Sequence, residues 1–245
     1  MGKSSIINMV LGSKVAAISG GAVGCTFEST SYLANIGGSE FRLHDTAGLN
    51  EGEDGTVPAK EAVVNLYKLI RRLEDGVSLL VYCVRGPKIK DTTVKNYKIF
   101  YEAFCQKQVP VAIVVTGLEN EESMEGWWAE NEASFTKYGM RFDGHACVTA
   151  TKGKKNRFEE EYEESVKIVR DLISACSATL PWKKEAKSWF LAVLESIWSS
   201  FVTTIGFPIN SIGNALTYAL TLVGVSQRDA IRLASGLEID LASGT

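Results

Sequence analysis

The feature that most constrains this chain is the sequence Gly2-Lys3-Ser4-Ser5 at its start. Gly-Lys-Ser ends the phosphate-binding loop G-x-x-x-x-G-K-[ST], in which backbone N–H groups and the positive end of the next helix hold phosphate. Apolar residues three and four positions apart from Ile6 to Leu11, closed by Gly12, predict that helix. We therefore expect all four opening residues to bind phosphate, with Lys3 reaching the β- and γ-phosphates.

A second phosphate and metal motif is Asp45-Thr46-Ala47-Gly48. Short apolar runs at 32–36 and 41–43 flank Gly37-Gly38 and predict a β-hairpin whose second strand leads into Asp45. An aspartate at such a strand end holds Mg²⁺ through water, and the N–H of the glycine, here Gly48, meets the γ-phosphate. Together with the Ser4 hydroxyl, Asp45 is the expected protein contribution to a Mg²⁺ site.

Helices and apolar strands alternate from residue 1 to about 180, which is typical of a three-layer α/β fold with a mainly parallel sheet. Continuous apolar runs predict buried strands at 77–84, 110–115 and 146–148. Periodic apolar residues predict helices at 58–73, 94–104, 124–138 and 158–175. Ligands of such folds bind at the carboxyl ends of the strands, where Asp45, Thr116 and Thr149 stand.

Composition excludes one class of partner and suggests a compartment. The net charge of −3 gives no electrostatic case for nucleic acid binding. The five cysteines are odd in number and widely spaced, which favours reduced thiols in the core of a cytosolic protein. No basic and then apolar leader precedes the phosphate motif, so we expect a cytoplasmic protein.

The order of the motifs resembles the P-loop GTPase fold. These motifs are G-K-S-S-x-x-N-x-x-L-G, D-T-A-G-L, T-x-x-[DE] and T-A-x-K, and the chain is most similar to the septin-like and immunity-associated branch, including uncharacterised fungal G-domain proteins. The resemblance covers residues 1 to about 180. It implies GTP or GDP as the ligand, Mg²⁺ as the cofactor, a homodimer formed through the G domain, and Thr26 as the switch threonine that folds onto Mg²⁺.

The resemblance also implies a base-binding site formed by Thr116 and Glu119 and by Thr149 and Ala150. In the family, the lysine of T-K-x-D lies along guanine and the aspartate accepts from the ring N–H and amino group. Here Gly117 replaces the lysine, while Glu119 can accept the same two bonds from a longer arm, which favours guanine over adenine. Thr149-Ala150 resembles the family's S-A-K loop, where a backbone N–H meets the guanine oxygen; the alternative is a plain strand-end turn.

Two departures from the family leave two functions open. Leu49 stands where the Ras branch has a water-orienting glutamine, and leucine cannot position water. The first strand of the sheet and half of the phosphate loop would precede Met1, so we expect a G domain truncated within that loop. One reading is a guanine-nucleotide switch or slow GTPase; the alternative is a non-catalytic pseudo-GTPase that acts as an interaction or membrane-surface module.

The tail differs in kind from the rest of the chain. Pro181 to Lys184 marks a boundary, which gives a G domain at 1–180 and a helical segment at 181–245. Residues 196–227 carry no charged side chain, and Gly206-Phe207-Pro208 interrupts them, which predicts a helical hairpin. Three interpretations stay open: a hairpin packed on the G domain or on a second copy, an amphipathic hairpin on a membrane surface through 188–225, and a true span.

A chain that ends at Leu180 distinguishes these interpretations. If the tail lies on lipid, the shortened chain should stay soluble and lose flotation with liposomes, because the apolar faces that bind the interface are gone. If the tail covers the G domain, the same truncation should lower the melting temperature or cause aggregation. A shortened chain that is equally stable, monomeric and indifferent to liposomes would contradict both interpretations.

Overall fold

The chain forms two compact units in a computed structural model. The first unit comprises Met1–Ala22, Ser29–Thr46 and Val77–Trp182, and the second comprises Val23–Glu28, Ala47–Gly76 and Lys183–Thr245. Within these units the structure describes residues 2–16, 30–46, 68–86, 93–94, 97–186, 188–190, 192–193, 217, 226–228, 230–232 and 234–235. The predicted boundary near residue 180 stays a prediction.

The first helix, α1, spans Lys3–Leu11 and confirms the helix predicted after the Gly-Lys-Ser triplet. It begins directly after Gly2, whose carbonyl accepts the N–H of Ile6 at 2.9 Å. Gly12 ends it in the left-handed conformation, with φ 67° and ψ 15°, which a residue without a Cβ adopts at little cost.

The predicted hairpin is present. Strand β1, Thr30–Ile36, pairs antiparallel with β2, Ser39–Asp45. Gly37 and Gly38 join the strands with φ values of 58° and 84°, and two positive values are what a tight two-residue hairpin turn requires. Asp45 is the last residue of β2, so the aspartate of the second motif stands at the strand end, as predicted.

Three strands form a parallel sheet in the order β3-β4-β5. These strands are β3, Leu80–Arg85; β4, Val111–Thr116; and β5, Gly144–Val148. All six residues of the central strand β4 are buried, which is why its sequence reads as a continuous apolar run. The first apolar run was predicted as a strand from residue 77, but Val77 instead makes an antiparallel bridge with Trp182. Among the described strands, the hairpin and the parallel sheet are separate sheets.

Helices cover both faces of the parallel sheet, which gives the predicted three layers. Helix α2 spans Met124–Lys137 and α3 spans Glu159–Cys176. One face of the sheet packs with α2 around Ile113, Val115, Trp127, Trp128 and Phe135. The other face packs with α1, α3 and the hairpin around Met9, Val10, Ile36, Val114, Val148, Val169 and Ile173.

The segment predicted as an α-helix at 94–104 differs in its winding. Lys98–Phe104 is a π-helix, and the N–H of Cys105 donates to the carbonyl of Phe100 at 2.9 Å. Tyr97 and Phe104 are buried, so these aromatic residues belong to the core. The predicted start of the preceding helix, at Pro58, lies outside the described residues.

Described cysteines are free thiols, as the composition predicts. Burial raises the pKa of the Cys105 and Cys147 thiols to about 12. These two side chains are 1% and 2% exposed, and a thiolate so far from water lacks solvation. Cys25 lies outside the described residues.

Little of the tail belongs to the described part of the chain. Trp189, Phe190 and Val193, near its start, are fully buried. Most of 196–227 lies outside the described residues. Among the helices that are described, none combines the length and apolar character that a bilayer span demands.

Arg170 of α3 ties the far end of α1 to the hairpin. Its guanidinium donates to the carbonyl of Val10 at 2.6 Å and to the carbonyl of Asn35. Val10 lies in the last turn of α1, where carbonyls lack helical partners and a positive charge is favourable. One side chain thus fixes the carboxyl end of α1 against β1.

Asn8 organises the chain that leaves α1. Its buried side chain donates from Nδ2 to the carbonyl of Ala16 at 2.9 Å. Its Oδ1 accepts from the N–H of Val15 at 2.9 Å and from that of Ala16 at 2.7 Å. The amide therefore satisfies three backbone groups of a loop that has no regular structure of its own.

Asn8→Ala is expected to lower the free energy of unfolding by about 2–4 kcal/mol, because it leaves several buried groups without partners at about 1–3 kcal/mol each. Urea unfolding of parent and variant measures the change. Asn131→Ala is a matched control, since the Asn131 amide makes a single bond to Trp127 within its own helix. Equal losses in the two variants would contradict a special role for Asn8.

Candidate functional site

The start of α1 presents the residues predicted to bind phosphate. Gly2 precedes the helix, and Lys3, Ser4 and Ser5 form its first turn, all of them half-buried. The first N–H groups of a helix have no internal partners and carry its positive end. No acidic residue lies in this first turn to neutralise that charge, so the end of α1 suits an anion.

A hydrogen bond joins the two motifs that were predicted to share a metal ion. The Ser4 hydroxyl donates to Oδ2 of Asp45 at 2.8 Å, across 41 positions of sequence. Ser4 is placed by the first turn of α1, and Asp45 by the last residue of β2. The fold therefore brings the two predicted ligands together.

The Ser4–Asp45 pair fits the chemistry of Mg²⁺. Both groups are oxygen ligands, and this ion usually takes one or two protein oxygens, retains water and binds the phosphates of its nucleotide. The hydroxyl and the carboxylate would supply two oxygen ligands and leave the other coordination positions to water and phosphate oxygens. The predicted switch residue Thr26 and the predicted γ-phosphate contact at Gly48 lie outside the described residues.

Charges from both motifs act on the pKa of the Cys83 thiol. Burial raises the pKa of its thiol to about 12, the positive charge of Lys3 acts to lower the pKa, and the negative charge of Asp45 acts to raise it. A residue in the middle of β3 thus lies within the electrostatic reach of both motifs. The thiol itself is protonated at neutral pH and offers no nucleophile there.

The start of α1 also touches the predicted base-binding residues. A Cβ placed on Gly2 would lie 3.0 Å from Oγ1 of Thr116, so the Gly2 backbone packs directly on that side chain. Thr116 is 4% exposed and donates from Oγ1 to the carbonyl of Val84 at 3.2 Å. The phosphate and base motifs are therefore neighbours in the fold.

Glu119 carries an acceptor that lacks a partner. Its Oε2 is buried and makes no hydrogen bond among the described residues. Leu118 is fully buried and anchors the short segment after β4, while Gly117 turns the backbone there with φ +82°. A buried, unpaired carboxylate oxygen costs free energy unless a ligand supplies a donor, and the N–H groups of a nucleobase fit this need.

Residues after β5 form a structured turn. The N–H of Thr149 donates to Oγ of Ser165 at 3.1 Å, and Oγ1 of Thr149 donates to the carbonyl of Thr151 at 3.0 Å. Within the described part of the chain, the N–H of Ala150 has no hydrogen-bond partner. It is therefore an N–H of this turn that remains for a ligand oxygen.

Ser165 is a positioning residue that the sequence interpretation missed. It is fully buried on α3, accepts the Thr149 N–H and donates to the carbonyl of Glu161 at 2.6 Å. The signal was a serine on the apolar face of the helix, between Tyr162 and Val169. Its hydroxyl anchors the turn that contains Ala150.

Lys152 of the same turn forms ion pairs with two glutamates of α3. Its ammonium lies 3.0 Å from Oε1 of Glu159 and 2.8 Å from Oε1 of Glu163. It also lies 5.2 Å from the centre of the Tyr162 ring. These contacts raise the pKa of Lys152, the Glu163 bond contributing most, and they fix the turn after β5 from its outer side.

Comparison with known proteins supports the same assignment. Residues 1–116 match the family model described as 50S ribosome-binding GTPase. No curated protein matches the chain. The matched residues include α1, the hairpin, β3 and β4, and end at Thr116. The fold class predicted from the sequence, α/β with a parallel sheet, is thereby confirmed, and residues 1–116 are similar to a GTPase domain.

Proposed function

We propose that this protein binds GTP and GDP together with Mg²⁺ and works as a nucleotide switch or slow GTPase. The observation that carries the proposal is the 2.8 Å hydrogen bond between Ser4 and Asp45. Ser4 comes from the start of α1 and Asp45 from the end of β2, so two oxygen ligands for Mg²⁺ meet. They meet at the amino end of α1, which suits phosphate.

Each residue has a distinct task in the proposal. The N–H groups that begin α1 and the Lys3 ammonium hold the β- and γ-phosphates. Ser4 and Asp45 hold Mg²⁺, directly or through water, and the ion when bound offsets phosphate charge and orients the γ-phosphate. Glu119 accepts from the edge of guanine, and the Ala150 N–H donates to its oxygen.

Hydrolysis is expected to be slow without help. The sequence has Leu49 where a water-orienting side chain would stand, so a second subunit or a partner has to supply that group. The alternative function is a non-catalytic pseudo-GTPase, which Gly117 in place of the base-contacting lysine favours. Our proposal also includes the septin-like and immunity-associated branch with its fungal members and a homodimer through the G domain. It further includes a cytoplasmic location, with a tail that either packs on the G domain or a second copy or lies on a membrane surface.

The phosphate and metal part of the proposal predicts that two variants differ in how their GTP binding depends on Mg²⁺. Lys3→Ala is expected to abolish GTP binding with or without Mg²⁺, because it removes the charge that faces the phosphates. Ser4→Ala should cost about 1.5–3 kcal/mol of binding free energy with Mg²⁺ present, the usual worth of a bond to a charged group, and little with EDTA. Titration with labelled GTP, with and without Mg²⁺, measures both.

Lys14→Ala is the matched control, since it removes the same charge from an exposed position after α1. Its GTP affinity should equal that of the parent. If Lys3→Ala and Ser4→Ala also bind like the parent, the phosphate site lies elsewhere and the proposal fails.

The base part of the proposal predicts a change in specificity. Glu119→Ala is expected to erase the preference for GTP over ATP, because the ring N–H and amino group of guanine lose an acceptor worth about 1–3 kcal/mol. Competition of unlabelled GTP and ATP against labelled GDP gives the ratio. Glu119→Gln, which keeps one acceptor oxygen, should retain part of the preference. Equal affinity of the parent for GTP and ATP would refute the assignment before any variant is made.

A further inference from the structure

Arg85 lies against the segment that carries the proposed base-reading carboxylate. It is the last residue of β3 and stands in register with Thr116, the last residue of β4. The N–H of the next residue, Gly86, donates to the Thr116 carbonyl at 2.8 Å. The backbone of Arg85 is therefore fixed next to the segment that runs from Thr116 to Glu119.

The side chain of Arg85 crosses over Gly117. A Cβ placed on Gly117 would lie 3.2 Å from Cγ of Arg85, 3.3 Å from its Nε and 3.8 Å from its Cδ. The stem of the arginine thus occupies the space that a side chain at position 117 would need. The positive φ of +82° at Gly117 disfavours any such side chain as well. The glycine is what lets the arginine lie there.

The guanidinium of Arg85 is exposed and uncommitted. Across the described part of the chain it takes part in no hydrogen bond or ion pair. Two other cations of the described residues are engaged, since Lys152 bonds to two glutamates and Arg170 to two carbonyls. A planar cation held in place by its stem, with its head group free, is suited to cover a ring or to meet an anion.

We propose that the Arg85 guanidinium stacks on the face of the nucleobase whose edge Glu119 reads. The inference rests on the proposed nucleotide binding. Glu119 follows Gly117 by two residues, and its Oε2 is buried and unpaired. An acceptor for the edge of a planar heterocycle and a planar cation for its face thus lie on one short stretch of structure. Arginine planes stack on bases regardless of their identity.

Stacking and phosphate binding by Arg85 predict different results. The Arg85 stem contacts the segment after β4, whereas Ser4 and Asp45, the proposed ligands of the phosphate-bound Mg²⁺, lie at the start of α1 and the end of β2. If Arg85 stacks on the base, its removal lowers the affinities for GMP, GDP and GTP by one common factor. A phosphate contact would instead give a loss that grows with the number of phosphates.

Arg85→Ala is the test variant, with the full chain titrated against fluorescently labelled GMP, GDP, GTP and ATP. We expect each affinity to fall by about three- to thirtyfold, the range of an exposed to a desolvated cation–π contact. The ratio of GTP to ATP affinity should stay at the parent value, because Glu119 sets it. Arg85→Lys should recover part of the loss, since it keeps the charge and lacks the plane.

Arg141→Ala is the matched control. Arg141 is also exposed and lies before β5, at the amino end of the parallel sheet. Its removal should leave all four affinities unchanged. Melting temperatures of both alanine variants are expected to match the parent, because neither side chain is buried.

Three results overturn the inference. Arg85→Ala that binds all nucleotides like the parent shows that the arginine does not contact the ligand. A loss that rises from GMP to GTP makes Arg85 a phosphate ligand. A parent that binds no nucleotide refutes the proposed function and this inference together, whereas the first two results leave the proposed function intact.

Discussion

The Ser4–Asp45 hydrogen bond is the contact on which the arrangement of the candidate site depends. It links the start of α1 to the end of β2, and these elements have no shared strand pairing that would hold them in register. The apolar cluster beneath them, with Met9, Val10 and Ile36, brings α1 and the hairpin together without fixing an orientation. A directional bond of 2.8 Å between a hydroxyl and a carboxylate supplies that orientation.

Other polar contacts also orient elements that apolar packing brings together. Arg170 fixes the carboxyl end of α1 on the carbonyls of Val10 and Asn35. Ser165 fixes the turn after β5, and Asn8 fixes the chain that leaves α1. Each of these groups is at least partly buried, where a hydrogen bond is stronger and a missing partner costs more. These bonds therefore orient elements that apolar packing alone brings together without fixing their direction.

Much of the fold could be predicted because its signals are local. Helix α1 follows from apolar spacing and a closing glycine, the hairpin from Gly37-Gly38, and β4 from an uninterrupted apolar run. Contacts between side chains of different strands could not be predicted. The approach of Arg85 to Gly117 depends on the register of β3 and β4 and on the positive φ of Gly117. An apolar run in the sequence predicts neither of them. The π-helical winding at Lys98–Phe104 was missed because apolar residues spaced for an α-helix fit a wider turn equally well.

The buried thiols have a consequence for following the protein in solution. Because burial raises the pKa of Cys105 and Cys147 to about 12, only a trace of thiolate exists in the native state at neutral pH. Alkylating reagents therefore modify these cysteines mainly when the surrounding core opens. The rate of modification then measures how often the π-helix and β5 separate from their neighbours, and the protein carries its own internal probe of local unfolding.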